Sequence, residues 1–325
     1  TLCESRDQGR RPTRGGHAIA ATLRFGNGTT LAKSIPAFMI RDHLKLQVIV
    51  ILWGFTAVLG ELLTLPALGI VAWRTGLAAF CILFWLRHRI RVSVSNALIF
   101  IATGFVISGH WITFFLAVKV ANVSICMIGV ATLSLWTAIL EPLIIKGRKF
   151  RPIDMLFGSV TVIGVSIIYR SEIEYSNGFL IAIFSAFLAA VFTVINSFHI
   201  AKAHHYVITF YEMLGASLFA SVFLLLKDGS IPIPEGSLDW LWIMILAVFC
   251  TVVAYSQYVE LLKRLSVFTI NFANNLEPVY GIALAALFFQ EHENLTPGFY
   301  LGSLIVITSI CLYPIVRRKV ARRSA

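Results

Sequence analysis

The sequence predicts an all-α polytopic membrane protein with ten transmembrane helices, arranged as two inverted five-helix repeats. The first observation behind this prediction is composition: 58% of the residues are hydrophobic, 13% are charged, and the mean hydropathy is +0.83. The other two are ten long apolar runs and one repeated segment. An ordinary soluble domain is far less apolar. An α-helix needs about 20 residues to cross roughly 30 Å of hydrocarbon, so each run is long enough to span a membrane.

The apolar runs follow one another with short polar connections, which favours a bundle of consecutive spans over isolated membrane anchors. The predicted spans are 44–63, 66–86, 97–118, 123–144, 152–170, 178–199, 206–226, 238–260, 267–289 and 298–316.

Positive charge is unevenly distributed between the two sides of these spans. If both termini are cytoplasmic, only Lys119, Arg170 and Lys227 fall outside, while the other loop and tail lysines and arginines fall inside. Cytoplasmic loops carry such an excess, so the sequence predicts a multi-pass membrane protein with cytoplasmic N- and C-termini. The net charge of +11 is therefore an orientation signal. No nucleic-acid partner is expected, because no zinc-finger spacing or separate basic domain accompanies the charge.

One segment occurs twice in related form. LFGSVTVIGVSIIY at 156–169 aligns with YLGSLIVITSICLY at 300–313, with a constant offset of 144 residues. Five spans per copy is an odd number, so the second copy enters the membrane from the opposite side. Inverted repeats place a substrate site near the membrane midplane, where the two copies meet.

The repeat sets the expected division of the chain. Residues 43–172 form the first five-helix repeat, and residues 173–316 form the second. Residues 1–42 lack a sustained apolar run and are expected to be a disordered cytoplasmic tail. Residues 317–325 are expected to be a basic cytoplasmic tail.

Polar residues concentrate in the ninth span. Asn271, Asn274 and Asn275 follow helical spacing, and Glu277 continues the same face. Pro278 has no N–H to donate, which leaves the carbonyl of Asn274 free. We expect these side chains to line a hydrated cavity and bind substrate; hydrogen bonding between helices is the alternative use of the asparagines. Glu277 is also a candidate for proton coupling, because a carboxyl group can alternate between charged and neutral forms.

Further candidates lie in other spans. His110, Trp111, Trp53 and Tyr255 can form the walls of a substrate site, although packed core histidines and interfacial aromatic residues are common alternatives. Arg74 and Glu212 occupy similar places in the second helix of each repeat. Either residue is a candidate for gating or proton coupling, and snorkelling to the membrane interface is the alternative.

Several chemistries have no support in the sequence. The five cysteines show no CxxC spacing, so neither a metal site nor a disulfide framework is indicated. No phosphate-binding loop and no HExxH or GxSxG motif is present. We therefore expect no cofactor, no enzymatic activity and no direct use of ATP.

The block NNLEPVYGIALAALFFQEHENLTPGFYLGSLIVITSICLY contains Leu276–Val279, then Glu291, Gly298 and Gly302. This pattern resembles the EamA family of the drug/metabolite transporter superfamily, and the resemblance extends over about residues 43–316. It implies two inverted repeats and a bacterial inner-membrane transporter, often an exporter of amino acids or other small metabolites. The first repeat departs from the pattern, because Leu133 and Ser134 stand where the second has Glu277 and Pro278.

Together these features predict a secondary active transporter of a small amino-acid-like or drug-like metabolite that works by alternating access. Its expected partners are that metabolite and membrane lipid, with protons as the candidate coupling ion. Two alternatives remain open. One is an intramembrane enzyme that uses His110 and Glu277, and the other is a superfamily carrier of nucleotide sugars or sugar phosphates. A channel is a less favoured rival. Substrate identity and oligomeric state are left open by the sequence.

Overall fold

The computed structural model describes residues 37–145, 152–265, 267–274 and 276–323, and these contain helices and no strand. The chain divides after Lys45. The described part of the first unit is the beginning of one helix, and the second unit, Leu46–Ala325, contains all the residues discussed below.

The first half of the chain contributes the helices up to residue 171. They are α1 (Ala37–Leu62), α2 (Ala67–Leu86), α3 (Val94–Val120), α4 (Val123–Val130), α5 (Leu133–Ile144) and α6 (Pro152–Ser171). The second half contributes α7 (Ser176–His199), α8 (His205–Asp228), α9 (Gly236–Ile245), a π-helical segment (Leu246–Val253), α10 (Ala254–Leu261), α11 (Val267–Asn274), α12 (Glu277–Phe289) and α13 (Pro297–Arg323). Helix α1 begins at Ala37, so the last residues of the predicted N-terminal tail are helical, while 1–36 lie outside the described residues.

Length and hydropathy confirm the prediction of an all-helical polytopic membrane protein. Within the described ranges, seven helical segments are long and apolar enough to cross a membrane. Three shorter apolar helices, Leu156–Ser171, Glu277–Phe289 and Pro297–Tyr313, coincide with the remaining predicted spans. The count of ten spans therefore stays a prediction.

Two predicted spans are broken helices, and the breaks are equivalent. The fourth span divides into α4 and α5, and the ninth divides into α11 and α12. The starts of α4 and α11 lie 144 residues apart, as do the starts of α5 and α12. At the second break Pro278 lies in the first turn of α12, where its missing N–H costs no helical hydrogen bond. Asn275, a predicted site residue, falls at this break and lies outside the described residues.

The two halves pack against each other through corresponding helices. Helix α2 packs along α8, and α6 packs along α13. The broken helices also cross, because α4 packs against α12 while α5 packs against α11. Both breaks therefore lie where the two halves of the chain meet.

A carboxylate of the second half holds the start of α4. The Glu291 carboxylate accepts hydrogen bonds from the backbone N–H groups of Val123 and Ser124, at 3.0 and 2.8 Å. Negative charge at a helix N-terminus is favourable because unpaired N–H groups and the helix dipole point at it. In α4 this contact also connects the two halves.

Substituting Glu291 by alanine should destabilise the protein by about 2 kcal/mol, because two buried N–H groups lose a charged acceptor. Thermal unfolding of the purified protein in detergent measures the change. Glu293→Ala is the matched control, since Glu293 is exposed in the same short turn. Equal unfolding temperatures for the two variants would contradict the capping role.

Candidate functional site

A central cavity lies among the helices of both halves, and its empty space of about 580 Å³ includes the part that is open to solvent. Helices α1, α2, α3, α7 and α10 contribute to its wall, together with both helix breaks. The residues that line it are Trp53, Thr56, Arg74, His110, Trp111, Phe114, Val130, Leu133, Ala189, Phe192, Thr193, Tyr255, Tyr258, Asn274 and Glu277.

The cavity lies well inside the helical bundle. Trp111 is nine residues before the end of α3 at Val120, which corresponds to about 14 Å at 1.5 Å per residue. That distance is close to half of a hydrocarbon layer of roughly 30 Å. Trp111 therefore lies well inside α3 and far from both of its ends.

The wall is built from equivalent positions of the two halves that carry different side chains. Four pairs of lining residues are separated by 144 positions: Trp111 and Tyr255, Phe114 and Tyr258, Val130 and Asn274, and Leu133 and Glu277. The first two pairs are aromatic in both halves. In the last two pairs, the first half is apolar and the second half is polar. The cavity thus has one polar side and one apolar side at the helix breaks.

Most of the residues predicted from the sequence come together in this cavity. Those that line it are Asn274, Glu277, His110, Trp111, Trp53 and Tyr255, together with Arg74. Asn271 and Glu212 are buried but are not among the lining residues.

Glu277 begins α12 and faces the cavity. Its side chain is 8% exposed, and no hydrogen bond or ion pair of its carboxyl group is found among the described residues. Gly54 on α1 permits the close approach of α12, since a Cβ atom there would lie 3.0 Å from Tyr280 Cβ and 3.3 Å from the Glu277 carbonyl oxygen. The carboxyl group is consequently available to a solute.

The two described asparagines of the ninth span have different surroundings. Asn274 lines the cavity and Asn271 does not, while the side-chain oxygens of both are buried without a hydrogen-bond partner among the described residues. The side-chain amide of Asn271 donates to Thr137 Oγ1 on α5 at 2.8 Å. Asn274 therefore has the geometry of a binding group, whereas Asn271 connects two helices, as the alternative interpretation of the asparagines expects.

Arg74 supplies positive charge to the cavity. Its side chain is fully buried, and its Nε and Nη2 atoms donate to Thr251 Oγ1 at 3.1 and 2.8 Å. The guanidinium carbon lies 4.2 Å from the centre of the Trp111 ring, a cation–π distance. The Nη1 atom has no hydrogen-bond partner, and Arg74 forms no ion pair among the described residues. A buried cation in this state lacks a counter-charge.

The π segment holds two of the cavity residues, a role that the sequence analysis missed. The Thr251 hydroxyl accepts from Arg74 and donates to the Leu246 carbonyl at 2.9 Å, five residues earlier. The Cys250 carbonyl accepts from the Trp53 indole N–H at 3.3 Å. π-Helical turns are frequent at functional sites. The sequence CTVV at 250–253 does not indicate this role, because a threonine inside an apolar helix usually bonds only a carbonyl group of its own helix.

His110 is oriented by Ser185 on α7. Its Nδ1 atom lies 3.0 Å from the Ser185 carbonyl oxygen, and the Ser185 hydroxyl donates to the His110 carbonyl at 2.8 Å. A carbonyl only accepts hydrogen bonds, so Nδ1 carries the hydrogen and Nε2 of a neutral ring is an acceptor. His110 therefore adds hydrogen-bonding capacity to an otherwise aromatic wall.

Aromatic rings form most of the remaining surface. The Trp111 and Tyr255 rings meet edge to face with centroids 5.9 Å apart. The Trp53 and Tyr258 rings are 5.2 Å apart, and the Tyr258 hydroxyl donates to Thr193 Oγ1 at 2.9 Å. Such rings can hold the apolar part of an organic solute, while Arg74 and Glu277 attract opposite charges. The wall thus combines an aromatic surface with one cationic and one carboxyl side chain.

The comparisons with known proteins agree with this architecture. The model of the EamA-like transporter family matches residues 176–313. No curated protein sequence matches the chain significantly. A solved crystal structure of a protein with 14% sequence identity covers 86% of this chain and 99% of its own length, with a TM-score of 0.63. At that identity the likeness shows the fold alone.

Replacing Thr251 by valine should destabilise the protein by about 2 kcal/mol, because Arg74 loses an acceptor for two of its N–H groups. Thr251→Ser keeps the hydroxyl and should retain most of the stability. Thr56→Val is the matched control, since Thr56 lines the same cavity but its hydroxyl bonds the Leu52 carbonyl of its own helix. Thermal unfolding measures the stability of each variant. If the serine variant were as unstable as the valine variant, the hydroxyl group would not be the stabilising feature.

Proposed function

We propose that this membrane protein is a secondary active transporter of a small organic metabolite, because residues 176–313 match the model of the EamA-like transporter family. The proposed direction is export across the bacterial inner membrane, with both termini in the cytoplasm. The proposed transporter has no enzymatic activity and no cofactor. Gradients supply the driving force, since the chain carries no nucleotide-binding motif.

The observation that carries this proposal is the shared cavity. Its wall combines residues 144 positions apart, which supports two inverted repeats around a common site near the midplane. The coincident helix breaks support the same division, with repeats over 43–172 and 173–316. Alternating access then follows if one repeat rocks against the other around the solute.

The solute class follows from the charges. A carboxylate group on the solute can pair with the guanidinium group of Arg74, and an ammonium group can pair with the carboxylate of Glu277. The aromatic wall then accommodates an apolar side chain. An amino-acid-like zwitterion meets all three conditions. Asn274, His110, Trp111, Trp53 and Tyr255 complete the proposed binding set, and Asn275 remains a predicted member of it. Asn271 is left out of the set, because its amide bonds Thr137.

Two alternatives draw on single features of the same cavity. A carrier of nucleotide sugars or sugar phosphates is favoured by the cationic Arg74, but the phosphate would share the cavity with the carboxylate of Glu277. An intramembrane enzyme is favoured by the presence of His110 and Glu277 in the lining of one cavity. Product formed in detergent without sealed compartments would favour the enzyme, because transport requires two compartments.

Export can be tested by mass spectrometry of the medium from bacteria that express the protein, its variants or an empty vector. We expect a small set of metabolites to be enriched by the unmodified protein. Glu277→Gln and Asn274→Ala should remove the enrichment, because the first removes a titratable carboxyl group and the second a polar side chain from the cavity lining. Asn271→Ala is the matched control for Asn274→Ala, since Asn271 bonds Thr137 instead.

The outcomes separate the transporter from the site. Metabolite enrichment that persists in both cavity variants would support the transport function and contradict the proposed binding site. Equal losses in Asn271→Ala and Asn274→Ala would indicate that both asparagines serve the solute. If no metabolite is enriched in the medium, uptake of metabolites into sealed vesicles tests import. The absence of uptake in that experiment would refute transport.

A further inference from the structure

Glu212 is a second carboxyl group in the membrane interior, and it is not part of the cavity wall. Its exposed fraction is 0%, and neither carboxyl oxygen has a hydrogen-bond partner of normal geometry among the described residues. It lies seven residues into α8, about 10 Å from the start of that helix. A carboxylate buried in this way requires a proton, a cation or hydrogen-bond donors.

The groups around Glu212 come from helices α3, α7 and α10. Its carboxyl group faces the Tyr255 hydroxyl of α10 and the side-chain amide of Asn196 on α7. The Asn196 amide donates to the Tyr255 hydroxyl at 3.0 Å. On α3, Gly104 packs so tightly that a Cβ atom would meet the Glu212 carbonyl oxygen. Tyr258, also on α10, is the other titratable neighbour.

No cation balances Glu212 within the described part of the chain. Helices α2 and α3 place Arg74 and His110 at the cavity, and neither forms an ion pair with Glu212. One turn earlier on α8, the Thr209 hydroxyl is also buried without a partner. The remaining contacts are uncharged oxygen and amide groups. These groups can hydrogen-bond a neutral carboxylic acid but cannot neutralise a carboxylate.

Tyr255 connects this group to the cavity. Its ring lines the cavity and meets Trp111, while its hydroxyl lies beside Asn196 and Glu212. Adding a proton to Glu212 would let the carboxyl group donate to the Tyr255 oxygen. Removing the proton would instead require the Tyr255 hydroxyl to donate to the carboxylate. The two states demand different hydrogen bonds from a residue that contacts the solute.

We propose that Glu212 binds the proton that drives transport, and that Tyr255 transmits its protonation state to the solute cavity. This proposal rests on the proposed transport function. One proton adds to a carboxylate oxygen from the water on one side of the membrane and leaves to the water on the other side. Glu277 then has the separate task of binding solute. One buried carboxyl group, Glu212, thus serves proton coupling, and the other, Glu277, serves solute recognition.

Proton binding can be measured without any solute by infrared spectroscopy of the purified protein in lipid. Subtracting the spectrum of Glu212→Gln should isolate the carbonyl stretch of one neutral carboxylic acid, which disappears as the pH is raised. Glu212→Asp should restore such a band, because it retains a carboxyl group. Glu277→Gln is the matched control, and it should keep the Glu212 band. Identical carboxylic-acid bands in the unmodified protein and Glu212→Gln would overturn the proposal.

The coupling of proton movement to transport is measured in proteoliposomes, with the metabolites that mass spectrometry of the medium identifies. Glu212→Gln should retain solute exchange at equal pH on both sides, but a pH gradient should no longer drive accumulation. Glu277→Gln should lose both activities. Gradient-driven accumulation that persists in Glu212→Gln would refute the role in coupling. The infrared result does not depend on transport, so failure of the transport function would be recognised separately.

Discussion

A helix that breaks inside hydrocarbon leaves backbone N–H and C=O groups without partners, and this constraint shapes the centre of the molecule. Both breaks lie where the two halves meet, at positions 144 residues apart. There α4 crosses α12 and α5 crosses α11, so each interruption is covered by protein or opens into the cavity. The cavity thus lies where the two interrupted helices of the two halves meet.

The charges in the cavity depend on contacts between halves. Arg74 belongs to the first half, and its guanidinium group is held by Thr251 of the π segment in the second half. Trp53 is held by the same segment through the Cys250 carbonyl. Any movement of one half against the other must either break these hydrogen bonds or carry the π segment along. The wall of the cavity and the motion of the halves are therefore linked through one short segment.

Most of the helices and much of the cavity could be predicted from the sequence, because long apolar runs and polar residues inside them are strong signals. Asn274 and Glu277 were recognisable because it is energetically unfavourable to bury a polar or ionisable side chain in hydrocarbon. The roles of Asn271 and Thr251 could not be predicted, since helical spacing does not reveal which neighbouring helix a side chain meets. The break at residues 131–132 was also hidden, because Leu133 and Ser134 lack the glutamate and proline found at the equivalent break.

The unlike halves of the wall have a thermodynamic consequence. In the proposed mechanism, two identical repeats would give a state open to one side and a state open to the other that are related by a two-fold rotation and have equal free energy. Replacing Asn274 and Glu277 by their counterparts Val130 and Leu133 would bring the wall closer to that balance. In the proposed transporter, this asymmetry would make one of the two states more stable in the empty protein, and a solute would shift the populations. Divergence at a few wall positions would then be the reason that the two states are unequal.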